Sequence, residues 1–355
     1  MSPQPQSLVT AGQRVLVDFT SDDSIGAAVQ EASGRTLAPL GSSGHDLRLT
    51  RLLRRPPAHG LEPVARGVWR AGEAVFLSSA GGSGFAQRWR ALPPGLPNPG
   101  ARIEVASTWS PSSRERLAAH LLPQRHRALR AQVLLHHPAL WTAVAREGLS
   151  PLHVSVLEVE GVCILLAGPG GVGKSSLVAD ALAHGAHAVC DNLGVSDGDV
   201  VHGVVEALRL PEGTAFGGGG ARAAHHRREH RWTGRVECLR PQLVVVVRRD
   251  DHGETRVTGL PSAAAARALV AGTYAAGELQ RFWPLVAQLA LGGLGAAHPP
   301  LQETAYRLTE SLPCFELTLG VPGSGLDASG EPTLSRLQRV LAQDLASQST
   351  RKVTP

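Results

Sequence analysis

Gly168-Pro169-Gly170-Gly171-Val172-Gly173-Lys174-Ser175 satisfies G-x-x-x-x-G-K-[ST] at every fixed position. Such a residue set does one kind of chemistry well: it wraps backbone N–H groups and an ammonium around a polyphosphate. Of the 35 basic residues only Lys174 and Lys352 are lysines, so a composition that otherwise uses arginine keeps a compact point charge where a nucleotide's β- and γ-phosphates would lie. Gly168, Gly170, Gly171, Val172 and Gly173 are the expected cradle, and Lys174 is its cation. Ser175 and Ser176 open the next element, with the Ser175 hydroxyl suited to Mg²⁺.

The elements that must position this loop are legible on both sides. Val162-Cys163-Ile164-Leu165-Leu166-Ala167 is a short apolar run ending at glycine, as a buried parallel strand does. Ser175 to His184 reads as a helix with Leu177, Val178, Ala181 and Leu182 on its apolar face and Gly185 as its stop. Strand, glycine loop and helix then aim N–H groups and the positive end of the helix dipole at one point. Beyond the helix, Ala186 to Cys190 reads as a strand delivering Asp191-Asn192 to its C-terminal end, the side of an open α/β sheet where ligands bind.

Elsewhere, residues 1–148 alternate strand-like pieces (Arg14 to Phe19, Gly67 to Ser78, Ile103 to Ser107) with Gly/Pro-rich punctuation. Helical stretches follow over Ser113 to Val133, broken or kinked at Pro123, and Pro138 to Glu147. Val200 to Leu210 gives short strands closed by Pro211. Gly217 to Arg231, with Arg222, Arg227, Arg228 and Arg231, reads as a flexible basic loop. Leu243 to Val247 is a β-branched central strand. Ser262 to Leu291 is helical with a kink at Pro284, Leu301 to Ser311 is helical, Cys314 to Leu319 is a last strand, and Leu334 to Leu345 is an amphipathic helix. The division expected is an accessory α/β region over 1–148, a catalytic domain over 149–320 and a C-terminal helix and tail over 321–355.

Net charge is +5 for 355 residues, a modest excess that permits an acidic partner. No aromatic-interleaved stacking motif or helix-turn-helix accompanies it, which disfavours nucleic acid. Four widely spaced cysteines form no C-x-x-C pair, as expected in a reducing cytoplasm. No run approaches the length of a membrane span, so the reading assigns no membrane association, and it leaves room for a homo-oligomer.

Two spacings carry a resemblance. His153 lies fifteen residues before Gly168, and Asp191 seventeen after Lys174, beyond a helix that ends in His184-Gly185. Across roughly residues 150–211 this resembles the HPr kinase/phosphorylase family: a His, a strand, the phosphate loop, a helix ending in Gly-His, a strand and an Asp-Asp pair. The resemblance implies an α/β fold of the phosphoenolpyruvate-carboxykinase type of P-loop domain, ATP and Mg²⁺ as cofactors, and phosphoryl transfer to a serine of a protein or peptide. It makes Lys174 and Ser175 ligands of phosphate and metal, Asp191 the general base and a metal ligand, and His153 the group that orients or tunes Asp191. Departures also stand out: Asn192 replaces the second aspartate, Ser176 stands where the family prefers Glu, and the Leu-Phe-Gly…Ala-Val-Arg signature has no counterpart. The chain therefore looks like a divergent member, similar to kinases that phosphorylate ribosomally made peptide precursors. The competing reading is a non-catalytic ATP-binding accessory protein whose site has decayed at Asn192.

Overall fold

The structure is a computed structural model that describes residues 6–18, 38–39, 45–52, 60–92, 102–212, 221–223, 226–232, 234–320, 333–335, 337 and 339. It is a mixed α/β protein with several sheets. Contacts divide the chain into two units, and neither is continuous in sequence. The first comprises residues 1–151, 202–232 and 277–300; the second comprises 152–201, 233–276 and 301–355. Residues 202–232 and 277–300, which a linear division assigns to the catalytic stretch, thus cluster with the N-terminal residues.

The first unit is built on a nine-stranded sheet in the order Ala38–Pro39, Gln6–Thr10, Gln13–Asp18, Leu47–Arg51, Ile103–Trp109, Phe85–Ala91, Ala74–Leu77, Val68–Ala71, Glu62–Ala65. The pairings of Leu47–Arg51 with Gln13–Asp18 and with Ile103–Trp109 are parallel. Central strands buried on both faces lose the apolar/polar alternation: residues 103–107 of Ile103–Trp109 are all buried. Trp89 on the sheet meets Trp141 edge-on at 5.0 Å, the orientation that ring quadrupoles favour.

Trp141 lies in the helix His137–Glu147, which continues from the helices Ser113–Leu121 and Pro123–Ala131 through a π turn at Gln132–His136. Pro123 separates the first two by sitting at the first helical position of the second, where its missing N–H would be unbonded anyway. Pro284 does the same in the first turn of Phe282–Leu291 and makes no kink. The helical stretch is interrupted earlier, between Ala275 and Phe282, by a 3₁₀ turn at Gly277–Leu279.

The described part of the expected basic loop is β-structure. Ala221–Arg222 and Arg227–His230 form a three-stranded sheet with Leu208–Pro211, and His230 is buried in it. The glycines at 217–220 lie outside the described residues, as does all but Leu334, Ser335, Leu337 and Arg339 of the expected C-terminal helix. Those few residues are helical.

The second unit carries a six-stranded sheet in the order His187–Cys190, Ser155–Val159, Val162–Ala167, Leu243–Arg249, Cys314–Leu319, Arg256–Gly259. The valine-rich run at 243–247 is wholly buried in its centre, where branched side chains pack well on a pleated surface. The helices Lys174–Ala183, Ser262–Ala275 and Leu301–Glu310 pack on it or on one another. The last buries Leu301, Thr304, Ala305 and Leu308, the i, i+3, i+4, i+7 stripe of an amphipathic helix.

Candidate phosphate-binding site

Strand direction decides what shares an edge of the six-stranded sheet. Val162–Ala167 runs parallel to Leu243–Arg249, which runs parallel to Cys314–Leu319. Ser155–Val159 is antiparallel to both Val162–Ala167 and His187–Cys190, so those two strands run the same way. Ser155 pairs with Leu166, and Val156 pairs with both Leu165 and Cys190. The start of one strand and the ends of the other two therefore bring His153, Gly168 and Asp191-Asn192 to one edge. The strand before the loop is thus parallel to its neighbour on one side only.

Glycine is required in this loop for reasons the geometry makes plain. Gly168 has φ +138°, and a Cβ there would stand 2.6 Å from the Val247 carbonyl oxygen. Neither the torsion nor the contact admits another residue. At Gly173, with φ +116°, an added Cβ would stand 2.7 Å from Leu319 Cδ1. At Gly170 and Gly171 an added Cβ would meet nothing within 4 Å, so the crest of the loop borders open space.

The helix Lys174–Ala183 begins directly after Gly173, which as its N-cap residue contributes no side-chain hydrogen bond. Its first N–H groups are those a helix cannot satisfy internally, which makes this terminus suited to an anion. Leu177, Val178, Ala181 and Leu182 are buried, as their spacing predicts. The far end closes with Gly185 N–H donating to Leu182 and Ala186 N–H to Ala181, a Schellman motif with Gly185 in the left-handed conformation.

Lys174 is buried, and its Nζ donates to the carbonyl oxygens of Gly168 at 2.7 Å and Pro169 at 3.0 Å. The ammonium is folded onto the loop it serves. Asp191 is also buried. Ser155 Oγ donates to the Asp191 backbone oxygen at 2.7 Å and stands 3.3 Å from its Oδ1. His153 Nε2 is 3.1 Å from Asn192 Oδ1, and the His153 N–H donates to Thr273 Oγ1 at 3.1 Å. Ser175 is half-buried and Ser176 exposed. The His153 imidazole thus meets Asn192, at the position where the resemblance expects a second carboxylate.

Ser155 and Thr273 escape the sequence. Ser155 opens an otherwise apolar strand and signals only a half-polar position. Thr273 sits in an alanine-rich helix whose neighbour Gly272 packs beside the Gly168 carbonyl, and nothing local marks it.

No helix among the described residues is long and apolar enough to cross a membrane. Also among the described residues, no group of three or more His, Cys, Asp or Glu side chains could hold a metal ion. No protein-family model matches the chain, and no curated protein matches it. Among the solved structures that match, the Hpr(Ser) kinase/phosphatase from Coxiella burnetii is similar over 58% of this chain and 99% of its own, at 12% identity and a TM-score of 0.28. A superposition that loose does not bear on fold or chemistry.

Proposed function

We propose that the chain is an ATP- and Mg²⁺-dependent kinase of the HPr-kinase-like P-loop type, transferring phosphate to a hydroxyl, most simply serine, of a protein or peptide. One observation carries this reading. A glycine loop closed by steric necessity, a buried ammonium at the root of an uncapped helix and a buried carboxylate stand on one sheet edge.

The residues suit the groups they would receive. Successive loop N–H groups and Lys174 would hold the phosphates, and Lys174 would exchange two neutral carbonyl partners for anionic oxygens, a stronger pairing. Ser175 and Asp191 offer the hard oxygen donors Mg²⁺ takes, with phosphate and water completing its shell. Mg²⁺, when bound, would neutralise charge on the phosphate oxygens. Asp191 would accept the acceptor hydroxyl's proton as its oxygen bonds to the γ-phosphorus and the bond to the bridging oxygen breaks. Ser155 would hold Asp191 in place. His153, fixed through Thr273 and Asn192, would orient the neighbouring backbone.

Asn192 favours a second reading, a nucleotide-binding accessory protein without transfer, because its amide oxygen is engaged by His153. Incubation with γ-labelled ATP, Mg²⁺ and the peptides encoded beside the chain, followed by mass spectrometry, separates the two. A phosphate's added mass on a serine is the expected result. Nucleotide binding with no transfer to peptide or water would give the accessory reading.

A further inference from the structure

The first unit holds a cleft of about 580 Å³ for which the phosphate-loop chemistry has no use. This lies within the range of sites that enclose ligands. One wall is aromatic. His126 stands 4.7 Å from Trp109 and is stacked at 6.5 Å on Phe85, centroid to centroid, while Trp109 keeps 38% of its surface exposed. Burial foremost, then the Arg130 guanidinium, lowers the His126 pKa, so near neutral pH the ring is an uncharged aromatic.

The helices Ser113–Leu121 and Pro123–Ala131 border the same cleft. Neither buries a residue, and Leu117, Leu121 and Leu122 are exposed. From Ser113 to Ala131 five arginines stand against one glutamate; Arg127 pairs with Glu229, and Glu115, bonded to Ser112 in a capping box, brings one negative charge to the cleft. Inside the cleft Arg209 is matched by Glu206 and Glu278. Arg281 instead donates to the carbonyl oxygens of Gly81 and Gly82, which do not cancel its charge. Arg125 is exposed on the rim.

An aromatic wall, an exposed Leu122 in the lining and an arginine excess together complement one kind of partner. We infer that this cleft binds an acidic peptide segment with an apolar anchor, a Leu or Phe side chain seated against Trp109 and His126 while flanking carboxylates meet Arg125 and Arg281. Guanidinium groups hold carboxylates through paired hydrogen bonds, and an aromatic pocket supplies the anchoring term. A concavity of this size suits an inserted side chain better than a flat bilayer. The cleft's use in catalysis rests on the kinase reading; the binding does not.

The test is fluorescence anisotropy on the full chain, without nucleotide, using a short labelled peptide alternating Glu with Leu and Phe. A peptide with Lys in place of Glu is the control. The acidic peptide should bind, more weakly as salt rises, the basic one should not, and Arg125→Glu should weaken binding about tenfold or more. Equal binding of both peptides, binding of neither, or an unchanged Arg125→Glu variant overturns the inference. So does self-association of the chain, or pelleting with phosphatidylserine vesicles, that Arg125→Glu abolishes while peptide binding is missing. Lys174→Met keeps the two readings apart, because it should lose nucleotide and retain peptide.

Discussion

At the residue scale, the kinase reading assigns binding to Lys174 and chemistry to Asp191. Lys174 already donates to two loop carbonyls, so Lys174→Met removes both the loop's internal tie and the cation that would meet the phosphates. We expect nucleotide affinity to fall at least about a hundredfold, roughly 3 kcal/mol, measured by calorimetric titration with ATP and Mg²⁺. Asp191→Asn keeps volume and polarity but cannot accept a proton. It should retain ATP binding within a few fold and lose transfer by about a thousandfold; unchanged turnover would mean another group is the base. Positioning residues should behave differently. Ser155→Ala removes a buried donor to Asp191 and should lower turnover with little change in the KM for ATP, while Ser155→Thr restores part of the loss. Lys174 is legible as a candidate from type and spacing within the glycine loop, and Asp191 from the resemblance and its place at a strand end. Ser155 and Thr273 are not, because each becomes part of the site only through a strand or helix from elsewhere in the chain.

At the element scale, the loop's glycines separate into two kinds that the motif alone does not distinguish. Gly168→Ala must place a methyl 2.6 Å from the Val247 carbonyl at a positive φ, and should cost at least about 2 kcal/mol of stability. Gly170→Ala meets open space, so stability should change by less than about 1 kcal/mol while the methyl crowds the face that an incoming phosphate needs. Urea unfolding alongside ATP titration reads both. A Gly168→Ala variant as stable as the parent would show that the turn is not closed as described. Helix boundaries were readable where caps and prolines mark them: Ser112 with Glu115 opens one helix, Pro123 starts another and Gly185 stops a third. The break between Ala275 and Phe282 was hidden, since alanine and leucine favour helix on either side. The strands at 221–222 and 227–230 were hidden too, because arginine-rich composition describes exposure and not the ladder partner at 208–211.

At the scale of the whole molecule, stability is tied to pH through a histidine far from the phosphate loop in sequence. His137 is fully buried; burial foremost, with the Arg281 charge adding to it against a hydrogen bond to the Glu278 carbonyl, lowers its pKa to about 4. A folded-state pKa below the unfolded value means the unfolded chain binds the proton more tightly. Its contribution is therefore complete above about pH 6.5 and is lost as pH falls toward 4, amounting to about 2 kcal/mol by pH 5. Urea midpoints at pH 7 and pH 5 should show this loss in the parent chain and a smaller one in His137→Gln; equal losses would place the proton elsewhere. The sequence by itself determined the glycine loop, its flanking strand and helix, and the arrival of Asp191 at a strand end, since torsional need, apolar periodicity and short spacing are local properties written in consecutive residues. Only the tertiary structure decided that His153 meets Asn192, that Ser155 holds Asp191, and that residues 202–232 and 277–300 join the N-terminal residues. These depend on which strands pair and in which direction, a choice made by burying surfaces distant in the chain, and no short stretch of residues encodes it.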